Sequence, residues 1–193
     1  MNESLLRGNG AGGAGGAEGA VNANNASANA NAITRLQPLT PEHYPALYPI
    51  AVREEIAGQH LSPADFASMY SAREGWTLTK NGKVIGAITL SNFRPLHSVI
   101  LHTMVDSAHH SRWANRTLLR QAFGYVFGDN GLGLRKLYAY AIMGRTYKAA
   151  KMLTALGFRV IGLDTCGGVA LDGAFYDVIN YEMMREDCRW MPR

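Results

Sequence analysis

Cysteine is scarce. Cys166 and Cys188 are the only two in 193 residues, and neither belongs to a C-x-x-C spacing, so no metal site is expected and the reducing cytoplasm is the natural home. Strong charge of one sign is also lacking. The net charge is +4, and no Lys/Arg stripe is interleaved with aromatics, which argues against nucleic acid as a partner. No apolar run approaches the roughly 20 residues of a membrane span, and the N-terminus has no apolar signal-peptide core, so no membrane span is expected. Bulky apolar side chains are almost absent from one segment: Gly8 to Ala32 is nearly all Gly, Ala and Asn. Such a stretch has too little apolar surface to repay ordering, and residues 1–32 are expected to be a flexible arm unless a partner orders them.

What remains, residues 33–193, is rich enough in apolar side chains for one core of ordinary size; the whole chain is 47% hydrophobic. Ile33 to Gln37 reads as a strand. Thr40-Pro41-Glu42 and Ser62-Pro63-Ala64-Asp65 both open helices, with an N-cap followed by Pro at the first helical position. Trp76 to Lys80 and Lys83 to Thr89 flank Asn81-Gly82, a strong hairpin signal. Val99 to Val105 is apolar on both faces and reads as a buried central strand. From Arg112 the spacing turns helical, with Trp113, Leu118, Leu119, Ala122, Phe123, Val126 and Phe127 on one side. A strand over Leu134 to Met143 follows, then a helix over Arg145 to Leu156 closed by Gly157, then a last strand pair, Arg159 to Leu163 and Ala174 to Met184.

The handover from the central strand to the helix after it, Val105 to Arg116, is where function is expected. A strand that stops before a helix leaves several backbone N–H groups unpaired, backed by the positive end of the helix dipole. That is a place for phosphate.

These residues resemble the GNAT (Gcn5-related N-acetyltransferase) superfamily of acyl-CoA-dependent acyltransferases. In that family a strand ending in Val leads five residues later to Gln or Arg and then to x-x-Gly-x-Gly/Ala. Here Val105 aligns without a gap, His110 takes the Gln/Arg position, and Trp113 and Asn115 take the glycine positions. The family's Asn-x-x-Ala/Ser becomes Thr146-Tyr147-Lys148-Ala149 ahead of Gly157-Phe158, and Leu153 stands where many members carry an acidic tyrosine. The resemblance implies an α/β (α+β) GNAT fold: a mixed, mostly antiparallel sheet flanked by helices, its central strands splayed. It implies acetyl-CoA as co-substrate, bound between those strands near Met104 and Val105. It also implies a pyrophosphate loop of His110, Ser111, Arg112, Trp113, Ala114, Asn115 and Arg116, with Thr146 and Lys151 near the cofactor. The acyl acceptor would be a small-molecule or protein amine. The ending Arg185-Glu186-Asp187-Cys188-Arg189-Trp190 resembles that of GNAT-like proteins encoded by bacteriophages. That likeness carries an alternative: a GNAT fold with a decayed motif, serving as a structural or virion assembly component in a host cell, with residues 1–32 engaging a neighbour or a second copy.

Individual side chains have two readings each. His102 lies on the strand lining the expected cleft and is a candidate general base, or a histidine satisfied by a neighbour. Tyr140 shares a strand face with Tyr138 and could donate a proton to a leaving thiolate, or simply pack. Asp106 could draw an amine or cap the next turn. His109-His110 lack a second ligand pair for a metal. Lys148 and Lys151 could meet the adenosine phosphate of CoA or form a solvated helix face. Glu54-Glu55 is too little acidity to point to a polyamine acceptor.

Overall fold

The computed structural model describes residues 33–54, 61–143, 147–169 and 174–191. The expected arm, residues 1–32, lies outside them.

Strand β1 (Arg35–Pro38) leads through a single 3-10 turn, Pro41–His43, into helix α1 (Tyr44–Arg53). Helix α2 (Pro63–Ser71) starts as its sequence requires, with the Ser62 hydroxyl accepting from the Asp65 amide at 3.1 Å. Strands β2 (Glu74–Lys80) and β3 (Lys83–Arg94) form the hairpin, and both turn residues are left-handed, Asn81 at φ 52° and Gly82 at φ 74°. This is the geometry for which Asn-Gly is selected. Then come β4 (Ser98–Val105), α3 (Arg116–Phe127), β5 (Lys136–Ile142), α4 (Tyr147–Leu156), β6 (Arg159–Val169) and β7 (Phe175–Met184). Gly157 ends α4 at φ +106°, and the Phe158 amide folds back onto the Leu153 carbonyl at 3.0 Å.

The strands make one sheet in the order β1-β2-β3-β4-β5-β7-β6, antiparallel at every junction except β4–β5. The mostly antiparallel α/β fold expected from the resemblance is therefore present. Alternation divides the core between the two sheet faces. Ile88, Leu90, Val99, Leu137, Ala139 and Ala141 face α3 and α4 and join Leu119, Phe123, Phe127, Leu153 and Trp113 in one apolar cluster. Ala87 and Met104 face the other way and pack with Leu47, Ile50, Phe66 and Tyr70 of α1 and α2.

Two boundaries differ from the sequence reading for physical reasons. The helix expected from Arg112 begins at Arg116, because a 3-10 turn over Ser107–His109 takes up the chain after β4 and Asn115 caps the helix itself. Strand β3 runs past Thr89 to Arg94; Ser91 still pairs with Ile100, and the ladder shifts only between Ser91 and Arg94, where Asn92 turns left-handed at φ 53°.

Candidate active site

The two edges of β4 are unlike. Toward β3 its ladder runs from Ser98 to Val105, whereas toward β5 only Ser98↔Lys136, Val99↔Leu137 and Ile100↔Tyr138 pair. Both strands continue past that last rung, β4 to Val105 and β5 to Ile142, so they part and leave a cleft. The Asp106 amide donates to the Ile85 carbonyl at 2.9 Å, directly opposite it in the register. Hydrogen-bonded pairs alternate in an antiparallel ladder, so Met104, His102 and Ile100 spend their backbone groups on β3 while Thr103 and Val105 turn theirs to the cleft. This corrects the expected part of Met104. Its backbone belongs to the closed edge, and its side chain is buried, with the Tyr70 hydroxyl 3.7 Å from its sulfur.

Two residues beyond the last rung, carried forward in register and on the same sheet face as Ile100 and Tyr138, stand His102 and Tyr140. Their side chains meet on the α1/α2 face: Tyr140 Oη lies 3.2 Å from His102 Nδ1, and the rings are edge-on with centroids 5.5 Å apart. Ser91 Oγ lies 2.7 Å from the other ring nitrogen, Nε2. Burial first, then the positive charge of Arg73, pushes the His102 pKa down to about 4, so the ring is neutral at physiological pH. Tyr140 is 45% exposed and opens to solvent. With the Ser91 hydroxyl donating to Nε2, Nδ1–H donates to the Tyr140 oxygen and the phenolic proton is free to point outward. The other tautomer reverses the direction.

At the open end of the cleft the chain after Val105 is pinned from both sides. Asp106 caps the 3-10 turn, accepting from the Ala108 amide at 3.0 Å, and pairs with Arg53 at 2.7 Å. Glu54 accepts from the Ser107 amide at 2.8 Å. The His110 ring is 2.7 Å from the Val105 carbonyl and 3.6 Å from Glu54, so this side chain braces the loop and is turned away from the role of a free phosphate ligand. Asn115 accepts from the Leu118 amide at 2.9 Å and donates to the Thr34 carbonyl at 3.0 Å. Among the described residues, the amides of Ser111, Trp113, Ala114 and Asn115 have no hydrogen-bond partner. They precede the free amides that open α3, and Arg112 and Arg116 are exposed beside them. Neither Trp113 nor Asn115 has a positive φ, so this loop does without the glycines of the family pattern. The Trp113 indole is 4% exposed, in the apolar cluster with Val105 and Leu119. Unpaired amides at a helix start fit the pyrophosphate of CoA.

Other candidates fall elsewhere. Lys148 and Lys151 are exposed on α4, and Thr146 lies outside the described residues. Leu153, at the position of the family's tyrosine, is 4% exposed and can supply no proton. Among the described residues no cluster of His, Cys, Asp or Glu could hold a metal ion, and no helix is long and apolar enough to cross a membrane. Two contributors were not singled out from sequence: Ser91 lies beyond the expected end of its strand, and Arg73 stands alone after a helix. Glu54, weighed there only as acidity for an acceptor, instead reaches Ser107 across 53 residues of chain.

With this geometry in view, comparison with known proteins places the chain. Residues 34–158 match the Acetyltransferase (GNAT) family, to which the chain belongs. Among solved structures it is similar to a spermidine/spermine N-acetyltransferase, SpeG, from Vibrio cholerae (19% identity, TM-score 0.65, covering 79% of this chain and 94% of that one). It is similar to a ribosomal-protein-S5-alanine acetyltransferase from Vibrio fischeri (19%, 0.64, covering 82% and 96%). An N-acetyltransferase from Staphylococcus aureus Mu50 is also alike (17%, 0.64, covering 79% and 98%). No curated protein matches the sequence significantly.

Proposed function

We propose that the chain transfers an acetyl group from acetyl-CoA to an amine. One observation carries the reading: the β4–β5 ladder ends at Ile100↔Tyr138, and a hydrogen-bonded histidine and tyrosine stand two residues beyond that last rung. Acetyl-CoA supplies the activated acyl group. The backbone groups of Thr103 and the amide of Val105 would align its extended arm, the Val105 carbonyl being taken by the His110 ring, and the amides of Ser111 and Trp113 to Asn115 would hold its diphosphate, with Arg112 and Arg116 adding positive charge.

Net acetyl transfer moves one proton from the acceptor nitrogen to the departing sulfur. His102 Nδ1 and Tyr140 Oη, 3.2 Å apart, are a donor–acceptor pair able to carry it. Both ring nitrogens have partners, so the amine's proton would reach neutral His102 through Tyr140: the phenol oxygen takes it as the phenolic proton moves to Nδ1, and the reverse of that relay delivers a proton to the departing sulfur. Ser91 orients the imidazole through Nε2. Fixing the two reactants side by side supplies much of the remaining rate.

A second reading, a CoA-binding or structural member of the family without turnover, draws support from Leu153, whose buried side chain leaves the usual proton donor missing. Amine-dependent release of free CoA thiol from acetyl-CoA separates the two. Steady release supports transfer; binding of acetyl-CoA with no release from any of a broad set of primary amines supports the second reading.

A further inference from the structure

Arg73 is the feature of this face that the proton pathway does not use. It follows α2 directly, with its amide on the Tyr70 carbonyl at 3.1 Å, and its guanidinium carbon lies 5.2 Å from the centre of the Tyr70 ring. One of its nitrogens is 3.4 Å from the Thr89 hydroxyl. Thr89 stands directly opposite His102 in the β3–β4 register, and opposed side chains of a ladder lie about 5 Å apart at Cβ. The guanidinium is thus held over the residue that faces His102 across the ladder, near enough for its charge to act on the imidazole.

Its partners among the described residues are neutral, a ring and a hydroxyl. Carboxylates elsewhere are engaged: Glu182 with Arg159 at 2.6 Å and Lys136 at 3.5 Å, Asp106 with Arg53 at 2.7 Å, and Glu54 with the Ser107 amide. Glu74, next to Arg73 in sequence, takes the Tyr125 hydroxyl. A half-buried guanidinium with only neutral partners keeps its planar fork of donors available, and that fork matches a carboxylate two bonds at a time. It also disfavours an acceptor that brings further positive charge. On its other side Arg73 borders a surface hollow of about 650 Å³ lined also by Glu74, Trp76, Phe93 and Tyr125, which His102 and Tyr140 do not line.

We propose that the acyl acceptor is an amine carrying its own carboxylate, in the manner of an amino acid, and that Arg73 binds this carboxylate while the amine sits at His102 and Tyr140. The inference rests on the acyl-transfer reading and names its substrate class. It separates this chain from a polyamine acetyltransferase despite the shared fold.

The test is a matched pair on one protein: the pooled twenty α-amino acids against their α-carboxamides, with spermidine as a cationic comparator, each assayed for acetyl-CoA-dependent product by mass spectrometry. At least a tenfold preference in kcat/KM for the acids is expected, with spermidine poorest. Arg73→Gln should erase the preference chiefly through KM, and Arg73→Lys should restore part of it. Because acid and amide are compared within each protein, a partly unfolded variant cannot imitate the result. Calorimetric titration of the same pair into the full chain, without acetyl-CoA, reads the preference independently of turnover. Failure to bind acetyl-CoA would remove the acyl-transfer reading. Acid and amide bound and used alike, neither used while another primary amine is, or spermidine preferred would overturn the Arg73 assignment alone; acetyl-CoA bound with no amine used would remove the acyl-transfer reading.

Discussion

Strand β4 has one closed edge and one open edge, and the contrast between them separates what folds this protein from what it does. On the β3 side the ladder is continuous over Ser98–Val105, and Met104, its backbone engaged there, is 2% exposed. On the β5 side three rungs hold the strands together and then stop, so residues of the same strand present unpaired backbone groups to a cleft. Residues 100–103 are half-buried and Val105 is buried, and a donor or acceptor that is buried without a hydrogen bond costs roughly 1–3 kcal/mol. The open edge is therefore a place that a ligand completes. An extended thioester arm with amides of its own is chemically suited to it.

The contrast can be attacked first at the crotch of the cleft. Tyr140→Phe removes the phenolic proton and keeps the ring, so kcat for amine acetylation should fall about 10²-fold with KM for acetyl-CoA nearly unchanged, the range of a lost general acid. An unchanged kcat in steady-state assays would return Tyr140 to packing.

His102 gives the next effect, in stability. Its folded pKa of about 4 lies below the 6.5 of an exposed histidine. Between those values the unfolded chain binds more protons, so stability rises with pH through this window and is lost as pH falls from about 6.5 toward 4. The loss is on the order of 2 kcal/mol. Urea unfolding at pH 7 and pH 4.5 should show it, and His102→Gln should remove this part of the pH dependence. The same displacement predicts no acid limb near pH 6.5 in kcat/KM.

Smallest is the effect of loop charge. Arg112 and Arg116 are exposed and screened, and the amides do most of the holding, so the Arg112→Glu/Arg116→Glu pair should weaken acetyl-CoA binding about tenfold, more at low salt than at high salt. A salt-independent loss would move the anion site elsewhere.

Much of this architecture was legible in the sequence because its signals are local. Asn81-Gly82, the Ser62-Pro63 start, Gly157 and the two-sided apolar run of β4 each encode their own geometry. The end of β4 at Val105 was legible for the same reason, but the start of α3 was not, because the 3-10 turn and the Asn115 cap move it from Arg112 to Arg116. What was hidden depends on register and on contacts far apart in sequence. That Thr103 rather than Met104 faces the cleft follows from which β4 residues pair with β3, and residue types alone do not carry that parity. Ser91 reaches His102 only because β3 continues past its apolar stretch. Trp113 and Asn115 read as losses against a glycine motif, yet the loop keeps negative φ at both and frees the same kind of amides. Glu54 bracing Ser107, and Arg73 beside Thr89, depend on helices packing over the sheet.

The central claim, that the open edge of β4 and the loop after it hold the acyl donor, is tested most directly by titrating acetyl-CoA into the ¹⁵N-labelled full-length chain and following backbone amides. The account predicts saturable binding in the micromolar range, with the largest shifts at Thr103, Val105, Ser111, Trp113, Ala114 and Asn115. Silence at millimolar acetyl-CoA, or shifts confined to other parts of the sheet, would contradict it.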